Sequence, residues 1–209
     1  MGDFLSSFPG VNWDDIAWVE YYDGDSGLAD GFAEAGDAVL AAWQAGIHPN
    51  DKMLLPLIYN YRHAIELALK QAIRQAAARV RFGGHGEPEL WAEPVEIHLK
   101  RKQGHRLAPL AAQLESLLRR LNLGALPDET MKMLARLHQL DPTGEAFRYS
   151  GHLATTAHQV DMVRLAKTFR EAFDMIHGGV LTMLDVHEDV QHDMAEELHA
   201  RYGDESGYW

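Results

Sequence analysis

The 209-residue sequence contains no cysteine, which excludes disulfide bonds, thiolate metal ligands and a cysteine nucleophile. It has no apolar run near the roughly 18 residues that span a membrane, and no basic-then-apolar start typical of a signal peptide. Glycine-rich phosphate-binding motifs and the His-Glu-x-x-His zinc motif are also absent. These absences favour a cytoplasmic protein that does not enter a membrane and uses neither a metal nor an organic cofactor.

Charge is distributed unevenly along a chain whose net charge is −12. Residues 1–51 contain no lysine or arginine and carry −10, residues 185–209 carry −7, and the segment between them carries +5. Overall acidity argues against nonspecific nucleic-acid binding, whereas a basic centre weakens that objection. The acidic ends are predicted to keep the protein soluble, and shielding of a basic surface is the alternative.

Apolar periodicity predicts an all-α helical bundle of about five helices. Helices are expected over 26–45, 51–82, 106–122 and 128–140, with a last long helix over about 158–201 that kinks or breaks at Gly178-Gly179. Residues 95–99 alternate apolar and polar side chains as a strand does. They are expected to pair with 146–149 as a small β-ribbon insertion.

Composition divides the chain into three parts. Residues 1–50 form an acidic, aromatic-rich arm with the first helix, residues 51–184 form the helical body, and residues 185–209 form an acidic C-terminal helix extension. The aromatic side chains of the arm predict that it packs on its own body, and an interface with a partner is the alternative.

An unusual polar pattern lies on the second predicted helix. Arg62 projects from an apolar stripe, Glu66 and Lys70 follow at i+4 and i+8, and His63 lies just beyond. An arginine on a core-facing stripe is costly unless it is paired and hydrogen-bonded. The pattern indicates either a helix-stabilising ion-pair ladder or a polar site built into a helical core.

The densest positive cluster follows the expected strand, with no acidic residue among residues 97–106. It is predicted to bind nucleic acid, with an acidic protein or a plain solvated turn as the alternatives. Its members are Lys100, Arg101, Lys102 and Arg106.

Four runs carry a resemblance to a known family: YRHAIELALK at 61–70, GHRL at 104–107, DPTGEAFRYS at 141–150 and VDMVRLAKTF at 160–169. Together they resemble a bacterial branch of the HEPN-like (higher eukaryotes and prokaryotes nucleotide-binding) helical proteins, over residues 54–184. The resemblance implies a helical bundle, often a homodimer, from a toxin–antitoxin or phage-defence system. Such proteins are commonly metal-independent endoribonucleases, and some are inactive or act as adaptors.

The resemblance also implies site residues. Active HEPN proteins carry an arginine and a histidine with four to six residues between them, and two copies meet across a dimer interface. Arg170 and His177 have this spacing and form an alternative catalytic pair. Among the residues shared with the branch, a histidine could act as the base or acid, and an arginine could hold phosphate oxygens. A carboxylate could orient the histidine or the arginine. The predicted catalytic residues are Arg62, His63, Glu66, His105 and Arg148, supported by Lys70, Asp141 and Tyr149.

Each of these residues also has a structural interpretation. Arg62 and Arg148 would tie Glu66 and Asp141 together and lock the bundle, and His105 would cap the third helix. The functional alternative to a ribonuclease is then a non-catalytic HEPN-like adaptor or neutralising partner, which binds another protein through its acidic ends.

A metal site is not predicted, although the acidic C-terminal segment contains Asp189-x-x-His192 and Glu196-x-x-His199. Di-metal bundles take such elements from two helices, whereas both of these lie on one predicted helix.

Overall fold

The computed structural model describes residues 24–46, 50–84, 86–147 and 159–202. These residues form helices without any strand, so the all-α prediction is confirmed. In chain order the elements are α1 (Gly24–Ala45), a 3₁₀ turn (Asp51–Met53), α2 (Leu54–Phe82), a 3₁₀ turn (Pro88–Leu90), α3 (Ala92–Ile97), a π-helix (His98–Gln103), α4 (Leu107–Arg120), α5 (Asp128–Leu140), α6 (Met162–Asp174), a second π-helix (Met175–Val180) and α7 (Leu181–Tyr202).

Helix α2 is the centre of the bundle, because α1, α4, α6 and α7 all pack against it. Its apolar residues recur at helical spacing and are buried on several sides. An unbroken i+4 row of small side chains, Ala64, Ala68, Ala72 and Ala76, is fully buried and allows neighbouring helices to come close. Most side chains of α2 therefore face other helices rather than solvent.

The two neighbours on one side of α2 run in opposite directions. Helix α1 is antiparallel to α2, since Phe32 meets His63 and Gly36 lies against Tyr61. Gly36 is needed there because a Cβ atom would lie 2.8 Å from the Tyr61 ring. Helix α6 runs parallel to α2, because Tyr61 contacts Phe169 at a ring-centroid distance of 6.0 Å and, further along both elements, Arg79 pairs with Glu188 of α7.

The predicted β-ribbon is wrong at 95–99. This segment belongs to α3 and the π-helix that continues it. Val95 and Leu99 are buried at i, i+4 spacing, whereas Ile97 between them is 44% exposed. Three alternating apolar residues are compatible with the period of a strand and also with that of a helix. Burial against α2 favours the helix here.

The last long helix begins at Met162, where the Asp161 side chain accepts a hydrogen bond from the Arg164 backbone N–H at 3.0 Å. The Gly178-Gly179 pair lies in the π-helix Met175–Val180, through which the helix continues into α7, so the break that was the alternative to a kink is not present. No helix in the described part of the chain combines the length and the apolar character that a membrane span requires.

Candidate functional site

Three parts of the chain meet at the guanidinium group of Arg62, whose side chain is only 3% exposed. Its Nε atom forms an ion pair with Asp141 Oδ2 at 2.9 Å, without the alignment of a hydrogen bond. Nη1 lies 3.3 Å from Glu66 Oε2, one helical turn along α2. Nη2 donates to the carbonyl oxygens of His105 at 2.7 Å and of Asp141 at 3.1 Å. Arg62 therefore joins α2 to the segment before α4 and to the turn after α5.

Glu66 links this buried arginine to the protein surface. Its Oε1 atom accepts a hydrogen bond from Lys70 Nζ at 2.7 Å and lies 2.9 Å from His105 Nδ1. Burial raises the pKa of the Glu66 carboxyl, but the hydrogen bond and charge of Lys70, followed by those of His105, lower the pKa to below its usual value. The carboxylate is therefore ionised at neutral pH.

Asp141 ends α5 and organises the turn that follows. Its fully buried Oδ1 accepts the backbone N–H groups of Gly144 at 2.8 Å, Glu145 at 2.9 Å and Ala146 at 3.0 Å. Gly144 has φ +86°, and a Cβ atom there would lie 2.5 Å from the His105 Cβ. Both the positive φ and the close approach of His105 therefore require a glycine here, and the turn at 141–144 closes directly over the polar network.

His105 lies at the edge of the network, with its side chain 47% exposed. The N-cap of α4 is Arg106, which makes no side-chain cap, so the prediction that His105 caps this helix is wrong. The His105 imidazole instead contacts Glu66 through Nδ1, while its carbonyl oxygen holds Arg62. The ring is thus fixed at one nitrogen by a buried carboxylate and remains open to solvent.

The predicted basic cluster flanks His105 in the sequence. We call Lys100, Arg101, Lys102 and Arg106 the basic segment, and all four side chains are exposed. Lys100 Nζ lies 3.9 Å from Glu96, and Arg106 folds back on the backbone carbonyl oxygens of the π-helix. The segment therefore places positive charge next to an accessible imidazole.

One predicted residue, His63, lies away from this site. His63 projects about 100° away from Arg62 around α2 and faces α1. Its ring meets Phe32 edge-on at 4.3 Å and stacks on Tyr59 at 5.9 Å. Arg148 and Tyr149 lie outside the described residues.

Arg170, one member of the alternative pair, is engaged by carboxylates. Its Nη1 lies 2.7 Å from Asp37 Oδ2 and its Nε 2.9 Å from Asp174 Oδ1. Asp37 also accepts a hydrogen bond from the Tyr61 hydroxyl. Burial, and then the hydrogen bond and charge of Asp37, raise the pKa of Tyr61. This cluster ties α1, α2 and α6 together.

His177, the other member, is bound to the first turns of α1. Its Nε2 lies 2.8 Å from Ser26 Oγ, and its Nδ1 lies 3.4 Å from Asp30 Oδ1. Phe173 stands between the pair, stacked on the His177 ring at 4.9 Å and 5.5 Å below the Arg170 guanidinium. Arg170 and His177 therefore share a face of one helix, and each holds α1.

His138 is a neighbour of the network that the sequence pattern did not single out. Burial lowers its pKa, and the charges of Arg62 and Arg106 lower it further against the opposing effect of Asp141. Its Nδ1 is buried without a hydrogen-bond partner among the described residues. The only sequence signal for this placement is the position of His138 one helical turn before Asp141.

Within the described ranges, no group of three histidine, aspartate or glutamate side chains is arranged to hold a metal ion. On α7, His192 Nε2 pairs with Glu196 Oε1 at 3.2 Å along the same helix.

Comparisons with protein-family models, with curated proteins and with solved structures find nothing that matches this chain.

Proposed function

We propose that the chain is a HEPN-like protein of a bacterial toxin–antitoxin or phage-defence system that cleaves RNA without a metal ion, with His105 as its acid–base residue. The observation that carries the proposal is the Glu66–His105 pair. A buried carboxylate lies 2.9 Å from Nδ1, while the imidazole stays 47% exposed. An oriented and accessible imidazole suits proton transfer near neutral pH.

The chemistry needs only groups that the site offers. The ribose 2′-oxygen attacks the neighbouring phosphorus as His105 accepts the 2′-hydroxyl proton at Nε2. The bond between phosphorus and the 5′-oxygen breaks, and the leaving oxygen takes a proton from solvent. The basic segment beside His105 supplies the positive charge that holds the phosphate during this exchange.

Arg62 enters the proposal as a positioning residue. Its side chain is 3% exposed and all three nitrogens face an acceptor, so a phosphate would have to displace Asp141, Glu66 or a carbonyl oxygen. Its contact with the His105 carbonyl oxygen at 2.7 Å holds the backbone that carries the imidazole. The homodimer that the HEPN-like resemblance implies is part of the same proposal.

Incubation of total RNA with the purified chain in EDTA tests the proposal. The wild type is expected to cleave, and His105→Asn is expected to be at least about 100-fold slower, because asparagine does not exchange a proton. The matched control is His98→Asn, since His98 lies on the π-helix of the basic segment and contacts Gln103 rather than Glu66. Cleavage by His105→Asn at the wild-type rate contradicts the proposal.

A second candidate is a non-catalytic HEPN-like adaptor or neutralising partner that binds another protein. The observation that favours it is that Arg62 is buried and each of its guanidinium nitrogens already faces an acceptor within the protein. A residue with a purely structural role has such surroundings. Intact RNA at excess wild-type protein, with a native circular dichroism spectrum, selects this candidate over the ribonuclease.

A further inference from the structure

The two halves of α7 have different surroundings. Leu184 is buried, and Glu188 pairs with Arg79 of α2. The Gln191 amide lies beside Gly83, directly after the last residue of α2. Beyond Gln191 every side chain that the structure describes is exposed. At 1.5 Å per residue, about 16 Å of helix extends past the end of the helix on which it packs.

Two rows of side chains run next to each other along α7. The apolar row consists of Val186, Val190 and Met194, each more than half exposed. The acidic row starts one residue earlier and consists of Asp185, Asp189, Asp193 and Glu197. Residues four apart lie on one helical face, so an exposed apolar strip borders a line of four carboxylates. Of these, Asp185 lies 3.9 Å from Arg79 and Glu197 pairs with Arg201, one turn further along α7.

The apolar row indicates a contact surface, because a helix gains most of its stability when such a face is covered. The charge of α7 indicates which kind of partner can cover this apolar row. From residue 185 to residue 202, α7 carries six carboxylates and one arginine. A second copy of α7 on the same strip would bring two strongly acidic helices together, and like charges at an interface are unfavourable. Lysine or arginine side chains would instead neutralise the acidic row.

We propose that the apolar and acidic rows of α7 are a docking surface for a basic amphipathic helix of another protein. The apolar face of that helix covers the apolar row, and its lysine or arginine side chains pair with the acidic row, as in helix-in-groove recognition. The proposal does not depend on RNA cleavage, since neither row contributes a residue to the Arg62 network.

Binding of a model peptide to the full chain tests this surface. The probe is a fluorescent 18-residue amphipathic peptide of leucine and lysine at helical spacing, measured by anisotropy. Val190→Ser with Met194→Ser, and separately Asp189→Asn with Asp193→Asn, are expected to weaken binding by about tenfold each. The effect of the Asn variant is expected to shrink at high salt, because screening weakens exposed charge pairs.

A matched control removes two exposed carboxylates elsewhere, as Glu129→Gln with Glu171→Gln, and is expected to bind the peptide like the wild type. Equal weakening by this control, or equal binding of a scrambled peptide of the same composition, would overturn the proposal. Sedimentation of a dimer that Val190→Ser with Met194→Ser dissociates would assign the surface to a second copy and also overturn it. The row variants are expected to cleave RNA like the wild type, which separates this test from that of His105.

Discussion

Replacing Arg62 by methionine tests whether the polar network holds the bundle together. Methionine keeps a long apolar stem and removes the guanidinium group. Glu66 and Asp141, which are 1% and 0% exposed, then lose ion pairs of 3.3 and 2.9 Å. Breaking a buried pair from one side typically costs about 3–5 kcal/mol, since the remaining charge stays buried.

The surroundings of the two carboxylates place the expected cost at the lower end of this range. Asp141 keeps three backbone N–H groups on Oδ1, and Glu66 keeps Lys70 and His105 on Oε1. We therefore expect Arg62→Met to lower the free energy of unfolding by about 3 kcal/mol. The carbonyl oxygens of His105 and Asp141 lose their side-chain donor in the same variant, which adds to the loss.

Urea unfolding followed by circular dichroism measures this free energy, and an unchanged denaturant slope shows that the folded state is retained. Arg74→Met is the matched control, because Arg74 also lies on α2 and pairs with Glu96 of α3, but both side chains are about one-third exposed. Its expected cost is about 0–1 kcal/mol. A loss for Arg62→Met no larger than that of Arg74→Met would refute the assignment of the network as the centre of the fold.

Two further predictions concern the same site. Gly144→Ala is expected to cost at least about 1–2 kcal/mol in thermal unfolding, because φ is +86° and the new Cβ would meet His105, whereas Gly124→Ala has open space and serves as the control. Glu66→Gln is expected to lower the free energy of unfolding, and the difference from the wild type is largest above about pH 4.3. It shrinks as pH falls further, because the folded-state pKa of Glu66 lies below the unfolded-state value. A stability difference between wild type and Glu66→Gln that is the same at pH 7 and pH 3 contradicts the second prediction.

Helical periodicity predicted most of the fold because apolar residues on the long helices recur over several turns. It failed at α3, where only three apolar residues, Val95, Ile97 and Leu99, were available to set the period. Pro94 does not interrupt α3, because it lies in the first turn, where its missing N–H has no helical partner to lose. Gly104, at φ +58°, ends the π-helix that follows.

The spacing of Arg62, Glu66 and Lys70 on one helix made the polar row visible in the sequence, and the expected tie between Arg62 and Asp141 is present in the structure. Spacing does not reveal which backbone carbonyl groups approach from other segments. The contacts of the Arg62 Nη2 atom with the carbonyl oxygens of His105 and Asp141 are therefore visible only in the tertiary structure.

Those carbonyl contacts change the chemical role that Arg62 can fill. A guanidinium group bound to Glu66, Asp141 and two carbonyl oxygens in the core cannot also hold a phosphate unless the turn at 141–144 opens. It does hold the backbone of His105, whose imidazole is the exposed member of the network. In the proposed reaction, proton transfer would therefore rest on His105 and Glu66, and the contribution of Arg62 would be to keep both in place.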